Sequence, residues 1–143
     1  MKKLNVALVG LGFGGAFAPI YKEHPSVERL ILFDTNRPVA EKTSAFIGGA
    51  EIADSFEDIL KNSEIDAVHL VTPIPLHAEQ SVAVLESGKH CACTVPMATS
   101  LKDIQRIVDA RRKSARNYMM METTLYTYQF LYVKKMKDRK SVV

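Results

Sequence analysis

A glycine-rich turn near the amino terminus is the first group of residues whose spacing could bind a ligand. Gly10, Gly12 and Gly15 have the spacing G-x-G-x-x-G, directly after the apolar run Leu4–Val9 and directly before a helical pattern. Gly10 permits a tight turn, Gly12 removes a Cβ from the path of a pyrophosphate, and Gly15 lets a helix pack on the strand. Because free N–H groups at the start of such a helix attract phosphates, this turn predicts a dinucleotide site.

An acidic residue stands where a dinucleotide site needs one. Asp34 ends the apolar run Arg29–Phe33 and lies 19 residues after Gly15, where a carboxylate commonly binds the adenosine ribose hydroxyls. A carboxylate there, with Thr35 beside it, repels a 2′-phosphate and favours NAD. Arg37 leaves NADP open as the less favoured cofactor, because an arginine can either pair with that phosphate or point into solvent.

Two later strand ends would complete the site. Ligands of doubly wound sheets bind beyond the carboxyl ends of the strands, so Thr72 and Pro73, after the run 67–71, should face the cofactor. His77 begins the next helix near the expected nicotinamide, either as a structural residue or as a cofactor contact. Cys93-Thr94-Val95-Pro96 occupies the same place after the following strand.

Short apolar runs alternate with amphipathic segments along the whole chain. The pattern predicts strands over residues 4–9, 29–33, 50–53, 67–71, 90–94 and 118–121, and helices over 13–24, 37–46, 76–87 and 127–136. Ser55 and Ser100 head two further helices through capping boxes, and Asn36 is a third N-cap. The helix after Ser100 should bury Leu101, Ile104, Ile107 and Val108. This order predicts an α/β fold with a doubly wound, mainly parallel six-stranded sheet.

Composition excludes several other classes. The 143 residues are 47% hydrophobic and 24% charged, values typical of one globular domain. The net charge of +3 comes from residues 134–140, which hold five basic side chains against one acidic, so we expect no nucleic-acid partner.

With no leader pattern and no run near the ~20 apolar residues of a membrane span, we expect a cytoplasmic protein without membrane contact. Cys91 and Cys93 should be free thiols, and no metal site is expected.

Three further runs carry a family resemblance. The runs are Thr72-Pro73-x-x-x-His77, Ser87-Gly88-Lys89-His90 and Pro96-Met97-Ala98-x-Ser100. Together with the glycine turn, they are similar to the glucose–fructose oxidoreductase, inositol dehydrogenase and MocA family. The similarity extends from about Leu4 to Met136. The resemblance implies an NAD- or NADP-dependent oxidoreductase of sugars or polyols. It also implies that the cofactor is contacted by Gly10, Phe13, Gly14, Asp34, Thr72, Pro73 and His77.

One departure affects the chemistry. The family usually has Glu-Lys-Pro where this chain has Thr94-Val95-Pro96, and valine cannot transfer a proton as the lysine does. Thr94 could still reach the nicotinamide ribose, and the Val95–Pro96 bond is expected to be cis, as prolines at site corners can be. No catalytic residue is therefore assigned.

The second departure concerns length. Residues 1–125 are expected to form the dinucleotide-binding domain, and residues 126–143 a helix and basic tail that begin an absent substrate domain. We therefore expect a domain that is inactive alone, with a sugar or polyol substrate only in a full-length context. The alternatives are a non-catalytic dinucleotide-binding or partner-binding module and a glycine turn that has lost its cofactor. The apolar segment Leu125–Val133 in the C-terminal helix could drive self-association.

Overall fold

The computed structural model of the protein describes residues 3–140 and the side chains of residues 3–137. Among these residues six strands form one parallel sheet: β1 (Leu4–Val9), β2 (Val27–Phe33), β3 (Glu51–Ile52), β4 (Ala67–Leu70), β5 (His90–Thr94) and β6 (Tyr118–Met121). The strand order is β3-β2-β1-β4-β5-β6, and every pairing is parallel. The predicted doubly wound sheet is confirmed.

The chain order reverses between β1 and β4. From β1 the chain passes outward through β2 to β3, and it then returns to β4 on the other side of β1. The carboxyl ends of the two strands are in register, with Val9 opposite Leu70. In an open parallel sheet this reversal leaves a crevice beyond the strand ends, which is where such folds bind ligands.

Six α-helices connect and flank the strands: α1 (Ala18–Glu23), α2 (Arg37–Phe46), α3 (Phe56–Lys61), α4 (His77–Glu86), α5 (Leu101–Ser114) and α6 (Tyr128–Lys140). One sheet face packs against α1 and α2 through a cluster that includes Leu8, Leu30 and Leu32. The other face packs against α3, α4 and α5 through a larger cluster that includes Val68, Leu85 and Ile107. The two cores hold the sheet rigid on both sides of the crevice.

Two of the three predicted N-caps form as expected. The Ser55 and Ser100 hydroxyls accept the backbone N–H groups of Asp58 and Asp103. Asn36 occupies the N-cap position of α2 but its side chain caps nothing. The Asp34 carboxylate instead accepts the Asn36 N–H at 2.8 Å, so the aspartate organises this turn.

Two other details of the helices differ from expectation. The helix predicted over 13–24 is divided into a 3₁₀ segment, Gly14–Phe17, and α1. Leu101 was expected to be buried, but it is 86% exposed. The inner face of α5 is formed instead by Ile107 and Ala110, one helical turn apart.

Candidate dinucleotide-binding cleft

A cleft of about 430 Å³ opens at the carboxyl ends of β1, β2 and β4. It lies where the strand order reverses, as the sheet topology requires. Seven of the thirteen predicted cofactor residues line it, namely Gly10, Gly12, Phe13, Asp34, Thr35, Thr72 and Pro73. Residues from three separate strand ends, distant in sequence, therefore come together around one space.

Gly10 has to be a glycine because of its backbone and its neighbour. Its φ is +86°, and a Cβ there would lie 2.5 Å from the carbonyl oxygen of Val71. Its N–H donates to the Phe33 carbonyl at 2.9 Å. The turn after β1 is thus held between the ends of β2 and β4.

The other glycines of the turn divide the remaining roles. A Cβ on Gly12 would meet no atom within 4 Å, and Gly12 lines the cleft, so the turn leaves open space at this position. Gly14, rather than Gly15, is the close-packed glycine, because a Cβ on Gly14 would come within 3.0 Å of the Val71 side chain. A Cβ on Gly15 would be in ordinary contact with Thr43 at 3.5 Å. The packing role expected for Gly15 is wrong.

The Asp34 carboxylate connects two loops of the cleft. One oxygen accepts the Leu11 N–H at 2.7 Å, and the other accepts the Asn36 N–H at 2.8 Å. Two carboxylate oxygens offer about four acceptor positions, so two remain for a ligand's hydroxyls. Asp34 therefore both fixes the glycine turn and presents negative charge at the cleft wall.

Arg37 lies outside the cleft lining. Its Nη1 donates to Asp54 at 2.8 Å, and its Nε donates to Glu41 at 3.4 Å. All three side chains are at least half exposed. The guanidinium is therefore directed toward two carboxylates of its own chain.

Several lining residues were missed by the sequence analysis. Gln80 lies on α4 and accepts the Thr72 hydroxyl hydrogen, with 2.5 Å between Oγ1 and Oε1. Leu76 lines the same wall and is 42% exposed. Their spacing of one helical turn places both on the cleft side of α4, a signal that a helical projection from Leu76 would have detected.

His77 and the segment after β5 are close to the cleft without lining it. The His77 ring is 1% exposed and contacts the backbone carbonyl oxygens of Thr72 and Pro96, each at 2.7 Å. The Thr94 hydroxyl donates to the Leu70 carbonyl at 3.3 Å. The Val95–Pro96 bond is cis, as predicted. These residues build the wall behind Thr72.

This fold and cleft define an α/β domain of the Rossmann class. The family model described as "Oxidoreductase family, NAD-binding Rossmann fold" (GFO_IDH_MocA) matches residues 4–122. The chain belongs to this family, and it is an NAD-binding domain of the oxidoreductase type.

Solved structures agree with the fold. The model superposes on an NAD-binding protein from Listeria innocua with a TM-score of 0.88 and 27% identity, over 99% of this chain and 42% of that one. For the WlbA dehydrogenase from Bordetella pertussis, crystallised with NADH and UDP-GlcNAcA, the TM-score is 0.81 and the identity 27%, over 96% and 40%. Myo-inositol 2-dehydrogenase from Lactobacillus plantarum shares the fold, with a TM-score of 0.84 at 19% identity over 99% and 42%.

Curated relatives carry glycosidase names. A glycosyl hydrolase family 109 protein from Shewanella sp. is 29% identical over 95% of this chain and 32% of its own length. An alpha-N-acetylgalactosaminidase from Shewanella oneidensis is 27% identical over the same shares. The chain thus spans about a third of the length of these curated relatives.

Two other features bear on ligand classes. Among residues 3–140 no helix is both long and apolar enough to span a bilayer. Within the same described part of the chain, no three His, Cys, Asp or Glu side chains gather in a way that could hold a metal ion. Cys91 and Cys93 are free and buried, as predicted.

Proposed function

We propose that the cleft binds NAD(H) through the glycine turn and Asp34. The observation that carries this proposal is the pairing of an open position at Gly12 with a fixed carboxylate at Asp34, both of which line one cleft. The first leaves room for a pyrophosphate against the backbone. The second has free acceptor positions for the ribose hydroxyls, because its two backbone bonds use only half its capacity.

NAD is the preferred cofactor in this proposal, and NADP the weaker one. Asp34 would face the added 2′-phosphate with its own negative charge. Arg37, the nearest candidate to neutralise that phosphate, is paired with Asp54 and Glu41. A 2′-phosphate would have to compete with these two carboxylates for the Arg37 guanidinium.

Titration of the purified chain with NADH and NADPH, followed by nicotinamide fluorescence, tests both proposals. We expect saturable NADH binding and clearly weaker NADPH binding. Gly12→Val, which fills the ligand's space, should abolish the signal, whereas Thr99→Val, at an exposed position away from the cleft, should not. A wild-type chain that binds neither nucleotide would overturn the proposal and favour a glycine turn that has lost its cofactor.

For the reaction, we propose hydride transfer between the nicotinamide and a carbohydrate derivative, in company with a substrate domain. The relatives support this class of substrate, since they include the WlbA dehydrogenase crystallised with UDP-GlcNAcA and an alpha-N-acetylgalactosaminidase. When bound, the dinucleotide supplies the hydride chemistry, and this domain orients it. Val95 offers no proton donor beside Pro96, so residues 1–125 acting alone should bind NADH without turnover.

Turnover is measured by incubating the chain with NAD and a panel of sugars, polyols and N-acetylgalactosaminides. We expect no NADH production and no glycoside cleavage. Reduction of NAD at the rate of an intact dehydrogenase would contradict both the role given to Val95 and the proposed need for a substrate domain.

A partner-binding role is the second candidate, favoured by one feature of the C-terminal segment. Every described side chain from residue 123 to residue 137 is exposed, and within this range the segment Leu125–Val133 holds three tyrosines and a phenylalanine. Exposed apolar surface of this extent mediates association. We propose that this segment of α6 and its preceding turn drives self-association, so sedimentation velocity should show concentration-dependent dimers that Leu131→Lys removes. A strict monomer at high concentration would contradict it.

A further inference from the structure

The His77 side chain joins the ends of two neighbouring strands. Its Nε2 lies 2.7 Å from the carbonyl oxygen of Thr72, directly beyond β4, and its Nδ1 lies 2.7 Å from the carbonyl oxygen of Pro96, beyond β5. The ring is buried, with 1% of the residue exposed. It starts α4, so one side chain connects three elements at the cleft's edge.

A carbonyl oxygen only accepts hydrogen bonds, so the ring binds a carbonyl through a nitrogen that carries a hydrogen. The ring nitrogens lie 2.7 Å from the two carbonyl oxygens, one on each side. The imidazole therefore fills the space between the two strand ends and fixes the separation of the two carbonyl groups.

The bond to Thr72 reaches the cleft through a short chain of contacts. Thr72 lines the cleft, and its hydroxyl donates to Gln80, which lines the same wall. By holding the Thr72 carbonyl, His77 fixes the backbone of Thr72. The orientation of the Thr72 hydroxyl and of Pro73 in the cleft therefore depends on His77. His77 is thus placed to act on a ligand without touching it.

We propose that His77 is a positioning residue whose buried ring, hydrogen-bonded between the Thr72 and Pro96 carbonyls, sets the β4 wall of the cleft. The effect on ligand affinity rests on the proposed dinucleotide function. The contact of the ring with the two carbonyls does not. This assignment differs from the cofactor contact expected from the sequence, because both ring nitrogens are already used by the backbone.

The contact with the backbone is tested by long-range ¹⁵N–¹H spectra of the wild-type protein. His77 is assigned by comparison with His77→Gln, and we expect a ring N–H that exchanges slowly with solvent, because the ring is buried and bonded to a backbone carbonyl. A His77 ring N–H that exchanges as fast as that of an exposed imidazole would overturn the clamp between the two carbonyls.

The positioning role is tested by NADH titration of His77→Phe and His77→Gln. Because the Thr72 wall loses its hydrogen-bonded support, we expect about tenfold weaker NADH binding for phenylalanine and a smaller loss for glutamine, which keeps one donor group. The matched control is His69→Leu, which removes a buried histidine from the groove formed by α1, β1 and β4, outside the cleft, and should leave the NADH affinity unchanged.

The outcomes separate the two proposals. If His77→Phe folds and binds NADH as tightly as the wild type, the positioning role is wrong. If His77→Phe does not fold, the glutamine variant and the wild-type spectra still decide. If the wild type fails to bind NADH, the proposed function fails while the ring spectra continue to test the clamp.

Discussion

Asp34→Asn is the substitution that examines the cofactor preference most closely. The change keeps the size of the side chain and removes its charge. Asp34 accepts two backbone N–H groups, from Leu11 and Asn36, and it would also accept the ribose hydroxyls of NADH. An asparagine has only one oxygen, so its NH₂ group has to oppose one of these donors.

The magnitude follows from the charge of the acceptor. Hydrogen bonds to charged groups contribute about 1.5–3 kcal/mol against 0.5–1.5 for neutral ones, so NADH binding should weaken by about 10- to 100-fold. The affinity for NADPH should rise instead, because the substitution removes the repulsion between the Asp34 carboxylate and the 2′-phosphate. Two unit charges about 4 Å apart repel by up to ~4 kcal/mol at an effective dielectric constant near 20. The ratio of the two Kd values, NADPH over NADH, should therefore fall by about 100-fold or more.

The ratio is the quantity to measure because it cancels damage common to both ligands. Any distortion of the glycine turn in Asp34→Asn would weaken NADH and NADPH alike. Parallel fluorescence titrations of both nucleotides give the ratio, and Asp109→Asn on the exposed face of α5 serves as the matched control. A ratio that changes by less than about threefold would refute the reasoning, since a charge at the ribose has to discriminate more than that.

Other expectations follow from backbone geometry and burial. Gly10→Ala should destabilise the fold by about 3 kcal/mol or more, because its Cβ would clash with the Val71 carbonyl at a residue with positive φ. Gly12→Ala should leave the urea midpoint of unfolding nearly unchanged and weaken NADH binding. Equal urea midpoints for the two variants would count against this. Burial raises the pKa of Cys91 to about 12, so a thiol reagent at pH 8 should label it only after unfolding, and rapid labelling of the native chain would be inconsistent with the buried thiol. Burial lowers the pKa of His69 to about 4. Between pH 6.5 and 4 the unfolded chain therefore binds a proton at this histidine that the folded chain does not, and the free energy of unfolding should drop by about 3 kcal/mol as the pH falls. A His69→Leu variant whose free energy of unfolding depends on pH in the same way would contradict this.

The sequence predicted those parts of the fold that depend on local periodicity. Six apolar runs separated by helical segments gave the strand positions within a few residues, and parallel order follows from crossover connections. The serine caps formed because a Ser three residues before an Asp satisfies a free N–H within the same turn. The Asn36 side chain does not cap the helix because Pro38 has no N–H and the Val39 N–H donates to the Asn36 backbone carbonyl at 2.9 Å.

Details that depend on tertiary contacts were beyond sequence patterns. Which glycine packs closely depends on the position of Val71, brought in by a strand more than fifty residues away. The same is true of His77, whose partners lie at the ends of two different strands.

Binding of the dinucleotide in this cleft is tested by titrating NADH into ¹⁵N-labelled protein. We expect saturable backbone shifts concentrated at the glycine turn, at Asn36 beside Asp34, and at Thr72, with the amides of α5 unmoved. Either no shifts at millimolar NADH, or shifts confined to a surface away from β1, β2 and β4, would contradict it.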